Sequence, residues 1–152
     1  LASVRRHRGR VEVRLDAQER EAMLGIVESL APSLGSVPRT TPRAYDDPEL
    51  EDEYARLVRP EVEASRDADI EVVRESLRTQ GERRELDEAH AMAWVRALNH
   101  LRLAAGGLLG VEEDRWDEAV DTAIVHRSEF TMLMALGWMQ ERIVAALEPG
   151  IA

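Results

Sequence analysis

The chain has no cysteine and no lysine among its 152 residues. Without a thiol it can form no disulfide, no thiolate-bound metal site and no cysteine nucleophile or redox switch of its own. Aromatic residues are scarce, at 4%. The longest nearly apolar stretch, Phe130 to Met139 interrupted by Thr131, is about half of the ~20 residues that a bilayer-spanning helix needs. No basic segment precedes an apolar run near the start, so an export signal is not expected and the protein is placed in the cytoplasm. Phosphate-binding glycine loops, nucleophile elbows and dinucleotide motifs are missing; Gly106, Gly107 and Gly110 close a helical pattern and open no cradle. No cofactor and no catalytic residue is therefore expected.

All the basic residues are arginine, and the net charge is −10. Residues 1–14 hold Arg5, Arg6, Arg8, Arg10 and Arg14 against Glu12, so this end is +4 and the remainder −14. A body that acidic repels phosphates, which excludes specific nucleic-acid binding by the domain alone. Residues 1–10 read as a solvated basic arm; contact with a polyanion through Arg5, Arg6, Arg8 and Arg10 is the functional alternative. The acidic groups around residues 49–53 and 112–118 lack the glycine-centred alternation of a calcium loop and read as solvated helix faces. The histidines, His7, His90, His100 and His126, show no metal-ligand spacing.

The length fits a single domain, 1–152. Val11, Val13 and Leu15 alternate with Glu12 and Arg14, the pattern of a strand with one buried face. Asp16 and Glu19 have the spacing of a capping box, and the helix after them carries Met23, Leu24, Val27, Leu30 and Ala31 inward. Prolines and glycines over 32–46 read as a mobile loop. Asp47-Pro48 opens another helix, with Leu50, Tyr54, Leu57 and Val58 on one face. Pro60 is expected to separate it from a helix capped by Asp67, which buries Ile70, Val73 and Leu77. Arg84-Glu85-Leu86-Asp87 echoes Val13-Arg14-Leu15-Asp16, so the two strands are expected to pair. From Asp87 to about Leu109 the apolar stripe is Ala91, Trp94, Val95, Leu98, Leu101, Ala105 and Leu109. The last helix, from near Ser128 to Leu147, is apolar all round in its first half. The fold expected is mainly α, five or six helices in a compact bundle with a short two-stranded β-ribbon.

On the long helix Arg102 falls about 40° from Leu98 at 100° per residue, inside the apolar stripe, with Asn99 at its edge. Such an arginine either pairs with a buried carboxylate or binds a ligand. The paired reading points to Glu141, on the Trp138 side of the last helix, which is then turned toward the long helix. The ligand reading makes Arg102, Asn99 and Trp138 an anion or enzymatic pocket. Independently of these, a homodimer burying Met132, Leu136 or Met139 is expected, since the apolar half of this helix exceeds what one side of a core needs.

Trp94-Val95-Arg96-Ala97-Leu98-Asn99-His100-Leu101-Arg102-Leu103, then Leu136-Gly137-Trp138-Met139-Gln140-Glu141, resemble an actinobacterial family of unknown-function domains. The opening Arg8-Gly9-Arg10 before a strand, followed by Leu15-Asp16, is similar to that family's start. Some members are described as oxidation-sensing transcriptional regulators. The resemblance implies a non-enzymatic regulatory or adaptor protein that acts through protein contacts, with a sigma factor as the implied partner. Oxidation sensing of that kind needs a cysteine, and this chain departs from it by having none.

Overall fold

The computed structural model describes residues 2–34, 47–57, 59–109 and 128–148. Most of the expected 32–46 loop and the whole 112–118 acidic stretch lie outside these residues.

The basic opening segment is a strand and not a free arm. Ser3–His7 form β1, antiparallel to β2 (Arg10–Arg14), with Val4 opposite Val13 and Arg5 opposite Glu12. Arg8 and Gly9 join them at φ 52° and 79°. Two successive left-handed residues make the kind of turn whose twist suits a two-residue hairpin. On the other side of β2 lies β3 (Arg83–Leu86), Val11 opposite Leu86 and Val13 opposite Arg84. The expected pairing of these two segments is present, but β1 enlarges the ribbon to a three-stranded sheet in the order β1-β2-β3.

Asp16 caps α1 (Ala17–Leu30): its carboxylate accepts from the Glu19 backbone N–H while the Glu19 side chain accepts from the Asp16 N–H. Two donors left over at the helix start are thus satisfied reciprocally. A short 3₁₀ turn, Ala31–Ser33, ends it. Asp47 accepts from the N–H groups of Glu49 and Leu50 at the start of α2 (Pro48–Leu57). Of the inward face expected for α2, Leu50 and Leu57 are both exposed, and Tyr54 and Val58 lie outside the described side chains. The next helix, α3 (Arg59–Arg78), begins well before the expected Asp67 cap. Pro60 is its second residue, where a missing N–H costs nothing. Asp87 accepts from the His90 N–H and so starts α4 (Glu88–Leu109); the last helix, α5, is Ser128–Leu147.

Helix α4 is the axis of the core, packed on α3 and α5 and touching α1 and the sheet. Trp94, Leu98 and Leu101 are fully buried. Ala93, Ala97 and Ala104, off the main stripe, are buried too; short side chains there let a second helix approach. The Arg96 guanidinium donates twice to the Asp69 carboxylate, at 2.9 and 3.1 Å, tying α4 to α3. Gln140 donates to the Val95 carbonyl at 3.2 Å, and a Cβ at Gly137 would lie 4.0 Å from the Arg102 Cδ, so α5 runs antiparallel to α4.

The two faces of α5 are the reverse of those expected. Leu136, Met139 and Ile143 are 0–1% exposed in the core of the single chain, whereas Met134 and Trp138 are 51% and 42% exposed. Leu136 and Met139 are therefore not available as an interface, and Met132 is half-buried against the same core. Leu136, Met139 and Ile143 recur at i, i+3 and i+7, a stripe that outcompetes the shorter Met134–Trp138 pair for burial.

Candidate functional site

The outer face of the sheet gathers charge around one carboxylate. Because side chains alternate along a strand, Glu12 points away from Val11 and Val13. The sequence pattern leaves that face to solvent, yet Glu12 has no exposed surface. Its cover is a single layer of arginines. Arg14 Nε donates to Oε1 at 2.6 Å, Arg5 donates through Nε and Nη2 at 3.3 and 3.5 Å, and Arg83 lies 3.9 Å away. Each of these arginines keeps about half of its side chain in solvent. The hydrogen bond from Arg14 holds the Glu12 pKa below its ordinary value of 4.5, against the opposing effect of burial, and Arg5 adds to the lowering. The same bond raises the pKa of Arg14.

A carboxylate whose pKa is depressed in the folded state stabilises the fold above its unfolded pKa, and that contribution is lost as pH falls through the folded value. Glu12→Gln should therefore melt below wild type at neutral pH. The gap should narrow as the solution is acidified below the ordinary glutamate range. Paired thermal melts across that range check this, and a gap that stays constant would show that Glu12 contributes nothing through its charge.

Arg5, Arg6, Arg8 and Arg10 are all exposed on the hairpin, with Arg5 tied to Glu12. The structure places two further arginines in the interior that sequence reading missed. Arg84, on the core side of β3, donates to the carbonyls of Ser76 and Thr79 at the end of α3. Burial, and then the nearby Arg20, lower its pKa. Arg66 is 7% exposed and donates to the Leu34 carbonyl and to Asp67. The available signal for Glu12 was its place as the lone carboxylate between Arg10 and Arg14; Arg84 and Arg66 had none, being ordinary arginines in charged stretches.

The other proposed constellation is only partly assembled. Arg102 is half-buried with its stem against Gly137, Asn99 is half-buried, and Trp138 is largely exposed. Glu141 is exposed. His100 is half-buried; burial, and then Arg66, lower its pKa, with Asp69 opposing. An open cleft of about 290 Å³ lies elsewhere, between the end of α1 and α3, floored by Leu34 and Ile70. Its charges are already committed, since Arg74 donates to Glu28 at 2.6 Å and to Glu71 at 3.4 Å. Among the described residues no group of acidic or histidine side chains could hold a metal ion, and no helix is long and apolar enough to cross a membrane.

A family model, the domain of unknown function DUF2017, matches residues 2–147. The chain belongs to that family. Neither a curated protein nor a solved structure matches it.

Proposed function

We propose that this DUF2017 protein is a non-enzymatic regulatory or adaptor protein of the cytoplasm that works through protein contacts, as a homodimer joined by the outer face of α5. The observation that carries the reading is the pair Met134 and Trp138, one helical turn apart and facing away from the core. Methionine and tryptophan are adaptable, high-area contact residues, favoured at the centres of interfaces. Glu141 and Ala145 continue the same exposed face, giving the apolar pair a small, partly charged border. A two-fold pairing of α5 with its copy needs only one such patch, because the same surface serves both subunits. By the resemblance, the process regulated is transcription and the further partner a sigma factor. Thiol sensing has no place in it, and specific nucleic-acid binding is not part of the role.

The runner-up, an anion-binding or enzymatic pocket around Arg102, Asn99 and Trp138, has weaker support. Its side chains lie on a half-covered helix seam, and the cleft described above is not near them in sequence or element. Native mass spectrometry of the protein isolated from its host separates the two. The contact reading expects a protein complex with no small molecule retained; a monomer carrying a bound anion would replace it with the pocket.

A further inference from the structure

We infer that the open edge of β1 takes an extended acidic segment of a partner protein as a fourth strand, with the partner's carboxylates on the arginine-lined outer face. The inference rests on the reading that the protein works through protein contacts, but uses the edge of β1, the strand on which α5 packs, and not the outer face of α5.

The two-residue turn at Arg8 and Gly9 makes His7 and Arg10 the closing hydrogen-bonded pair of the hairpin. Counting back by twos, Arg5 and Ser3 also direct their backbone groups at β2, while those of Val4 and Arg6 point outward. No hydrogen bond to the backbone of Val4 or Arg6 is made on that side among the described residues. Among the described residues β1 thus presents the outward donors and acceptors that strand addition uses.

The side chains select what can pair there. On the outer face Arg5, Arg10, Arg14 and Arg83 stand against Glu12 and Glu85. Glu12 anchors three of these arginines from beneath, and Arg14 is hydrogen-bonded to it through Nε alone. A guanidinium already held in place loses less freedom on binding a carboxylate. Arginines on an edge also discourage pairing of the strand with a second copy of itself, since Arg5 would meet like charge. A long nucleic acid fits less well, because phosphates reaching past this small face would meet a remainder of −14. A short acidic strand stays within the basic area.

The test uses the full chain and a short fluorescent peptide that alternates glutamate with valine, read by anisotropy, beside a labelled single-stranded oligonucleotide. Wild type should bind the peptide in a salt-sensitive manner and more tightly than the oligonucleotide. Arg5→Gln/Arg10→Gln should weaken peptide binding by about tenfold or more, each tenfold being ~1.4 kcal/mol. Arg6→Pro removes only an outward N–H and should abolish binding, while Arg6→Ala should keep it within about threefold of wild type, or ~0.7 kcal/mol; circular dichroism confirms that each variant is folded. Failure of folded wild type to bind the peptide overturns the inference, as does tighter binding of the oligonucleotide. Equal binding by Arg6→Pro and Arg6→Ala overturns strand addition. Any of these with dimerisation through α5 intact leaves the proposed function standing.

Discussion

Trp94→Ala is expected to destabilise the fold by about 3–5 kcal/mol, the range for truncating a large aromatic in a core. Trp94 sits in the middle of α4 with no exposed surface, and the core around it is drawn from both helical neighbours and the sheet. Removing a fully buried indole leaves a void that the surrounding backbone can close only in part. Against a typical total of about 5–15 kcal/mol, such a loss moves the urea midpoint far enough to leave the protein marginal. The indole N–H itself contributes little, for Nε1 has no hydrogen-bond partner, so Trp94→Phe should cost clearly less than Trp94→Ala. Urea denaturation followed by circular dichroism compares the two. A loss below about 1 kcal/mol for the alanine variant is the ordinary size of a mild substitution and would mean that Trp94 is not at the core.

The second large effect is Leu136→Ala, expected to cost about 2–5 kcal/mol at every protein concentration. Sequence reasoning assigned Leu136 and Met139 to a dimer interface; in the fold they lie under α4 with at most 1% of their surface exposed. A residue of the single-chain core changes stability independently of concentration, whereas a residue whose burial depends on a partner makes the melting temperature concentration-dependent. Melts of Leu136→Ala over a wide concentration range distinguish these. A penalty that vanishes in dilute solution would return Leu136 to an interface.

That reversal shows what the sequence could and could not convey. Local chemistry was legible: Asp16 with Glu19, Asp47 before Pro48, and Asp87 each start a helix where their side chains can meet free N–H groups. So was the inward stripe of α4, from Ala91 through Leu101. Which face of α5 meets that stripe was not, because a helix apolar on all sides gives no angular preference until its neighbours are known. The regular spacing of Leu136, Met139 and Ile143 decides the packing. The expected Arg102–Glu141 pair depended on that orientation, and Glu141 lies on the exposed side of α5.

The sheet was half legible for a related reason. The Val11–Val13 alternation marks β2, but β1 is rich in arginine, and its turn has arginine where asparagine, aspartate or glycine usually signals a hairpin. Glu12 is covered by its strand neighbour Arg14 together with Arg5 and Arg83, which β1 and β3 bring beside it, and those last two contacts are absent from its own neighbourhood in sequence. The candidate sites were therefore read as sets of residue types, and the structure supplied which of them meet.

Light scattering at micromolar concentration on wild type and on Met134→Ser/Trp138→Ser tests the central claim, that the outer face of α5 is a contact surface. Wild type should give the mass of a dimer and the double variant that of a folded monomer, which melts below wild type only by the concentration-dependent stabilisation that dimerisation adds, because neither side chain supports the core. A monomer mass for wild type, or a dimer mass unchanged in the variant, would contradict it.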